Sequence, residues 1–207
     1  MKNIFLTLIK KSHHSAVHTG RVDVISDLIA MNLPKDVLSM LDIGCGDGKI
    51  SSLIQSKHGK VKIVGIDIME RPTCEIEYQS FDGENIPFDQ NSFNAIQLVD
   101  VLHHTSNISS VISNALPISS KYLVIKDHLY QSRFDFLTLK FMDWVGNAPH
   151  GVKVIYNFQT MEQWKSIFKE NKLEMIYFND KIKLYPKFVN WIFGRKLHFI
   201  AILKKNA

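Results

Sequence analysis

The chain has 207 residues, 45% of them hydrophobic and 22% charged, and carries a formal net charge of +5. That length suits one globular domain with a full-sized core, and two cysteines, Cys45 and Cys74, are too few for a disulfide framework or a cysteine-based zinc cluster. Basic residues occur without the Lys/Arg run that tracks phosphates, so no nucleic-acid partner is expected, and no apolar run reaches the length of a membrane span.

The apolar stretch Ile4–Ile9 is stopped by Lys10 and Lys11, too early for a secretory signal, so a cytoplasmic protein is expected. Val22, Ile25, Leu28 and Ile29 share one helical face before Pro34, and residues 1–33 read as a helical cap. A strand over 37–43 breaks at Gly44, Gly46 and Gly48, and a helix follows over 49–57. Residues 61–67 form a buried strand ending in an acid, and 75–80 a weaker, alternating one. A fourth strand over 93–99 is entered through the polar turn 89–92; a helix over 108–116 then leads to a fifth strand at 121–127. Such alternation predicts a mostly parallel sheet with helices on both faces. Phe134–Val145 has helical spacing and runs into an irregular segment at 146–159. Thr160 and Gln163 form a capping box that opens a helix with Trp164, Ile167 and Phe168. Strands near 173–178 and 197–203 bring the total to seven.

The glycine turn carries the chemistry. Glycines let backbone approach a ligand, and a helix N-terminus offers unpaired N–H groups. A dinucleotide fingerprint starting at Gly44 needs a further glycine where this chain has Lys49. Gly44-x-Gly46-x-Gly48 after Asp42-Ile43 instead resembles the first motif of class I methyltransferases that use S-adenosylmethionine. Asp67, about 20 residues on, ends its strand where an acid accepts ribose hydroxyls. Asp82-Gly83-Glu84-Asn85-Ile86-Pro87-Phe88 resembles the D-G-x-x-L-P-F loop of that family, whose Asp receives the adenine amino group; Ile86 replaces the leucine. Ser92-Phe93-Asn94 and Val101-Leu102-His103-His104 resemble the ubiquinone/menaquinone-biosynthesis group, with Asn94 departing from its S-F-D.

The resemblance implies a Rossmann-like, doubly wound α/β fold: a mostly parallel seven-stranded sheet with helices on both faces, in one domain spanning 1–207. It implies S-adenosylmethionine as cofactor, bound in a core at 37–128 through Asp42, Gly44, Cys45, Gly46, Gly48, Asp67, Ile68, Asp82, Gly83 and Val99. The plainer reading leaves the glycines as a tight turn and His103 and His104 as a helix cap.

Methyl transfer from a sulfonium is an in-line displacement, so alignment supplies most of the acceleration, and a base is needed only for a protonated acceptor. Histidine fits that role. His128, beside Asp127, is the first candidate, His150 the second and His104 the third; none shows metal-ligand spacing with matching acids, so no metal is expected. The aromatic segment 134–159 is expected to cover a small, apolar acceptor (a quinone, lipid or polyketide-like metabolite), with Asp143, Trp144, Asn147 and Tyr156 as contacts. Plain core is the competing reading of these aromatics. The remainder, 160–207, supplies the last helix and strands. Its mixture of bases and aromatics at 181–196, with the amphipathic N-terminus, suggests rest on an anionic membrane surface, or else a core hairpin with lysines reaching outward. Two functions stand at this level: an active methyltransferase, or a catalytically silent cofactor-binding partner that kept the fold.

Overall fold

A computed structural model describes residues 20–147, 155–185, 193 and 195–206, the last two residues before 148 in backbone only. In chain order the elements are α1 (20–32), β1 (Ser39–Ile43), α2 (Lys49–His58), β2 (Lys62–Asp67), β3 (Glu77–Ser80), β4 (Phe93–Val99), α3 (Ile108–Ala115) and β5 (Ser119–His128). Then come α4 (Arg133–Asn147), α5 (Met161–Glu170), β6 (Leu173–Asn179) and β7 (His198–Lys205). The seven strands lie in the order β3-β2-β1-β4-β5-β7-β6, parallel throughout except that β7 runs antiparallel to both neighbours.

Alternation along the central strands divides the apolar residues between the two faces. Leu123 and Ile125 of β5, with Phe199, Ala201 and Leu203 of β7, pack with Ile112 of α3 and Trp164 and Phe168 of α5. Val124, Ile200 and Ile202 face the other way, onto Ile25 and Ile29 of α1 and Ile54 of α2. Both faces are therefore covered, so that Ala95, Ile96 and Leu98 of β4 and Leu123, Val124 and Ile125 of β5 are all buried whichever face they take. Trp164 is 1% exposed, and its indole N–H donates to the His128 carbonyl at 3.1 Å. The capping box at Thr160 forms as the sequence predicts, with both reciprocal hydrogen bonds present.

Among the boundaries that differ from the sequence reading, three concern the elements around the site. β1 starts at Ser39 because Val37 N–H closes a turn onto the Pro34 carbonyl. β3 starts at Glu77 because Glu75 N–H is taken by the Asp47 carbonyl in the glycine turn. α4 runs on through Gly146 to Asn147, where an irregular segment is expected. The parallel order places β1 beside β4, and the connections from β1 and β4 leave toward opposite sides of the sheet. That divergence opens a crevice beyond the strand ends.

Candidate active site

The crevice is built from the turn after β1. Gly44 N–H and Cys45 N–H both donate to the Ile66 carbonyl, at 2.8 and 3.2 Å, so the chain folds across the end of β2. Gly44, Gly46 and Gly48 all have left-handed backbone, with φ of 79°, 60° and 74°, which only glycine adopts without penalty. A Cβ at Gly44 would stand 2.5 Å from Val101 Cγ2, and one at Gly48 2.6 Å from Cys74 Sγ. Nothing lies within 4 Å of a Cβ at Gly46, so there the bare backbone faces open space. Gly46 N–H donates to Asp67 Oδ2 at 2.9 Å, Met69 N–H to Oδ1 at 2.9 Å, and Arg71 approaches Oδ2 at 3.2 Å. The turn thus holds the Asp67 carboxylate in place.

A cavity of about 410 Å³ opens here. Gly44 and Asp67 line it at the ends of β1 and β2, Ile68, Phe81 and Gly83 beside β2 and β3, and Asp100, Val101 and His104 after β4. Its apolar rim, next to an acid fixed by backbone amides, offers a hydrogen-bond acceptor at Asp67 and apolar contact at Ile68 and Phe81. Asp82 is pre-set by Glu84 N–H, Asn85 N–H and the Asn85 side chain, all at 2.7–2.8 Å. These hydrogen bonds hold its carboxyl below the usual range.

Of the residues expected to touch the cofactor, Gly44, Asp67, Ile68 and Gly83 line this cavity. Asp42 lies beneath the turn instead, buried and bonded to Ser51 Oγ of α2 at 2.6 Å, and burial pushes its carboxyl up to about 6. Cys45 packs under the turn against Gly65, where a Cβ would come within 2.6 Å of its sulfur, and burial raises its thiol. Val99 packs into the core around α1 and α2.

From Asp100 in the cavity wall a network of buried and half-buried polar groups runs inward. Asp100, itself left-handed at φ 57°, pairs with Arg21 of α1 and with Lys126 of β5. Lys126 is 0% exposed. Burial would raise the Asp100 carboxyl, but Arg21 and Lys126 hold it well below its ordinary value. Burial brings Lys126 down to about 8 against the pull of Asp100. Asp127 accepts from Leu102 N–H at 3.0 Å, from His128 N–H at 2.7 Å and from the His103 ring at 2.8 Å. Burial alone would lower His103; the Asp127 charge and hydrogen bond, with Asp143 beyond, outweigh it and set it at about 9.

The three histidine candidates separate. His128 is buried, its Nδ1 lies 3.2 Å from both Asp127 Oδ1 and His103 Nδ1, and burial plus the His103 charge push it down to about 4. His128, the first candidate from the sequence, does not line the cavity, because β5 turns its side chain into the polar network. His104 is the histidine in the cavity wall, half-buried and lowered by burial and by His103, with Nε2 3.9 Å from Asp143 Oδ1. His150 lies outside the described residues.

Asp143 is buried on the inner side of α4, and Tyr156 is half-buried against Phe158. Trp144 is 56% exposed on the outer side, and the side chain of Asn147 lies outside the description. Gly146 lies within α4. The network members Arg21, Lys126 and His198 were not singled out from sequence. Lys126 was the readable signal: a charge inside an otherwise apolar central strand needs a buried partner.

A model of the methyltransferase domain family matches residues 17–177. No curated protein matches the chain by sequence. Among solved structures, the S-adenosylmethionine-dependent methyltransferase of Mesorhizobium loti is similar over 84% of this chain and 94% of its own, at 14% identity and a TM-score of 0.60. The magnesium protoporphyrin IX methyltransferase of Synechocystis PCC 6803, solved with bound S-adenosylhomocysteine, is similar over 92% of this chain and 84% of its own (15% identity, TM-score 0.61). A methyltransferase from Aquifex aeolicus covers 82% of each chain at 14% identity and a TM-score of 0.56. At such identities the likeness is one of fold.

Proposed function

The chain belongs to the methyltransferase domain family, and from that premise we propose that it is an S-adenosylmethionine-dependent enzyme that methylates a small, largely apolar acceptor. The observation that carries the reading is one cavity reaching from Asp67 to His104. When bound, the sulfonium cofactor supplies the methyl group. Gly44 and Gly46 would let it lie against bare backbone, Asp67 would take the ribose hydroxyls, and Ile68 and Phe81 would flank its base. Arg71 now lies across Asp67 Oδ2, so this side chain moves aside as the hydroxyls arrive. His104, neutral near pH 7 and backed by Asp143, holds the proton that a hydroxyl acceptor releases.

The outer face of α4 supports an apolar, surface-borne acceptor. Phe134, Leu137, Phe141, Trp144 and Val145 are all exposed there, with Lys140 on the same helix and the Arg195 guanidinium 4.6 Å from the Phe134 ring centroid. An apolar stripe with a cationic margin suits the surface of an anionic bilayer. No helix among the described residues is long and apolar enough to cross a membrane.

The test is isothermal titration with S-adenosylhomocysteine and with NAD. It is followed by incubation with methyl-deuterated S-adenosylmethionine and a lipid-soluble metabolite extract, read by mass spectrometry. Binding of the first ligand alone, with label transferred to an extract component, supports the reading. Adenosylhomocysteine binding with no label on any acceptor class supports the silent cofactor-binding protein instead. NAD binding alone overturns both.

A further inference from the structure

We propose that His103, His104 and Asp143 form a binding site for a divalent transition-metal ion of the zinc type. The ligand-capable atoms converge. His103 Nε2 lies 3.7 Å from Asp143 Oδ1, His104 Nε2 lies 3.9 Å from the same oxygen, and all three lie within 4.8 Å of one another. In a tetrahedral site with bonds of about 2.0–2.1 Å, such donors stand roughly 3.3–3.5 Å apart. An ion needs to draw each histidine nitrogen toward Asp143 Oδ1 by only about half an ångström, and to close the two nitrogens from a separation of no more than 4.8 Å.

The surroundings match what a metal-bound histidine requires. A ligating imidazole gives its second nitrogen to a carboxylate, which fixes its tautomer and orientation. His103 Nδ1 does this with Asp127 Oδ1 at 2.8 Å. Asp127 is in turn fixed by the Leu102 and His128 amides, so the His103 ring cannot turn away. Nε2 is left as the end that faces Asp143. Two nitrogens and one carboxylate oxygen make a three-ligand set that suits zinc, and His104 sits in the cavity wall, so the fourth position opens toward the acceptor. A neighbouring trio, Asp100, His103 and His128, also lies close together, but Arg21 and Lys126 already neutralise Asp100, and two cations there repel a third.

A proton and the ion compete for His103 Nε2. Without the ion a charged His103 bridges Asp127 and Asp143; with it, the ion replaces that proton as the positive charge between the two acids. Bound there, the ion would lower the pKa of an acceptor hydroxyl, whose proton would then pass to solvent water rather than to His104. The site itself stands without the methyl-transfer reading, since binding of the ion is measured in the absence of any acceptor.

The experiment titrates Co²⁺ into the full chain, free of any histidine tag, and follows its visible absorption, then displaces it with Zn²⁺ and counts bound zinc by mass spectrometry after dialysis. One ion per chain is expected, displaced by zinc. Binding should weaken at least tenfold in Asp143→Asn and in His104→Gln and stay unchanged in His58→Ala, whose histidine is remote from the cluster. His104 is half-buried, so the His104→Gln variant keeps the test open should Asp143→Asn fail to fold. No stoichiometric binding, or binding that folded His104→Gln leaves unaltered, overturns the proposal, while adenosylhomocysteine binding decides the cofactor reading separately.

Discussion

Asp127 grips His103 through a 2.8 Å contact between Oδ1 and Nδ1, with both side chains almost wholly removed from solvent. The pair joins the end of β5 to the turn after β4, so it stiffens the wall against which the cavity is built. Its geometry also decides which imidazole nitrogen is available beyond it.

Removing one partner of this pair leaves a buried charge and two backbone donors without a partner. Asp127→Ala is therefore expected to lower the unfolding free energy by about 3–5 kcal/mol, read from urea denaturation at pH 7. A loss below about 1 kcal/mol would show that the cluster tolerates solvent and is not a rigid wall.

Asp67→Ala should weaken adenosylhomocysteine binding by about tenfold or more, equivalent to about 1.4 kcal/mol or more, because charged acceptors of ribose hydroxyls are lost in a partly buried site. Circular dichroism would establish that the variant folds. A folded variant that binds like the parent would place the cofactor elsewhere.

Asp42 gives a pH dependence of definite sign. Its carboxyl is pushed up to about 6 in the fold by burial, against about 3.9 in an unfolded chain. The native state therefore holds this proton more tightly, and stability falls as pH rises from about 4 to about 6. Asp42→Asn keeps an oxygen for Ser51 and removes the buried charge. It should raise stability at pH 8 by about 2–3 kcal/mol, with the gain vanishing below about pH 4. A gain of equal size at both pH values would mean packing rather than ionisation is responsible.

The two described tryptophans should behave as opposites. Trp164→Ala empties a buried site and is expected to cost about 3–5 kcal/mol. Trp144→Ala, on the exposed face of α4, should cost under about 1 kcal/mol. If α4 rests on a membrane, vesicles of phosphatidylglycerol should blue-shift the parent's fluorescence, vesicles of phosphatidylcholine much less, and Trp144→Phe should lose most of the shift. Equal shifts in parent and variant would remove α4 from the contact.

The fold and the candidate crevice are legible along the chain because both rest on local patterns. Alternation and apolar runs mark strands, and a ligand-facing turn needs Gly44, Gly46 and Gly48 within five consecutive residues. The seven strands and the β1 turn follow from such short-range constraints. What the chain could not disclose is where side chains from distant elements meet. Arg21 reaches Asp100 across 79 positions, and His103 finds Asp127 across 24. His128 reads as a candidate base at the end of its strand, and the register of β5 against β7 sets it opposite His198, in the polar network. Trp144 and Asp143 are neighbours in sequence, but helical rotation of about 100° per residue turns one outward and the other toward His104. Which face of a helix meets solvent is decided by the elements packed beside it, and only the assembled sheet fixes those.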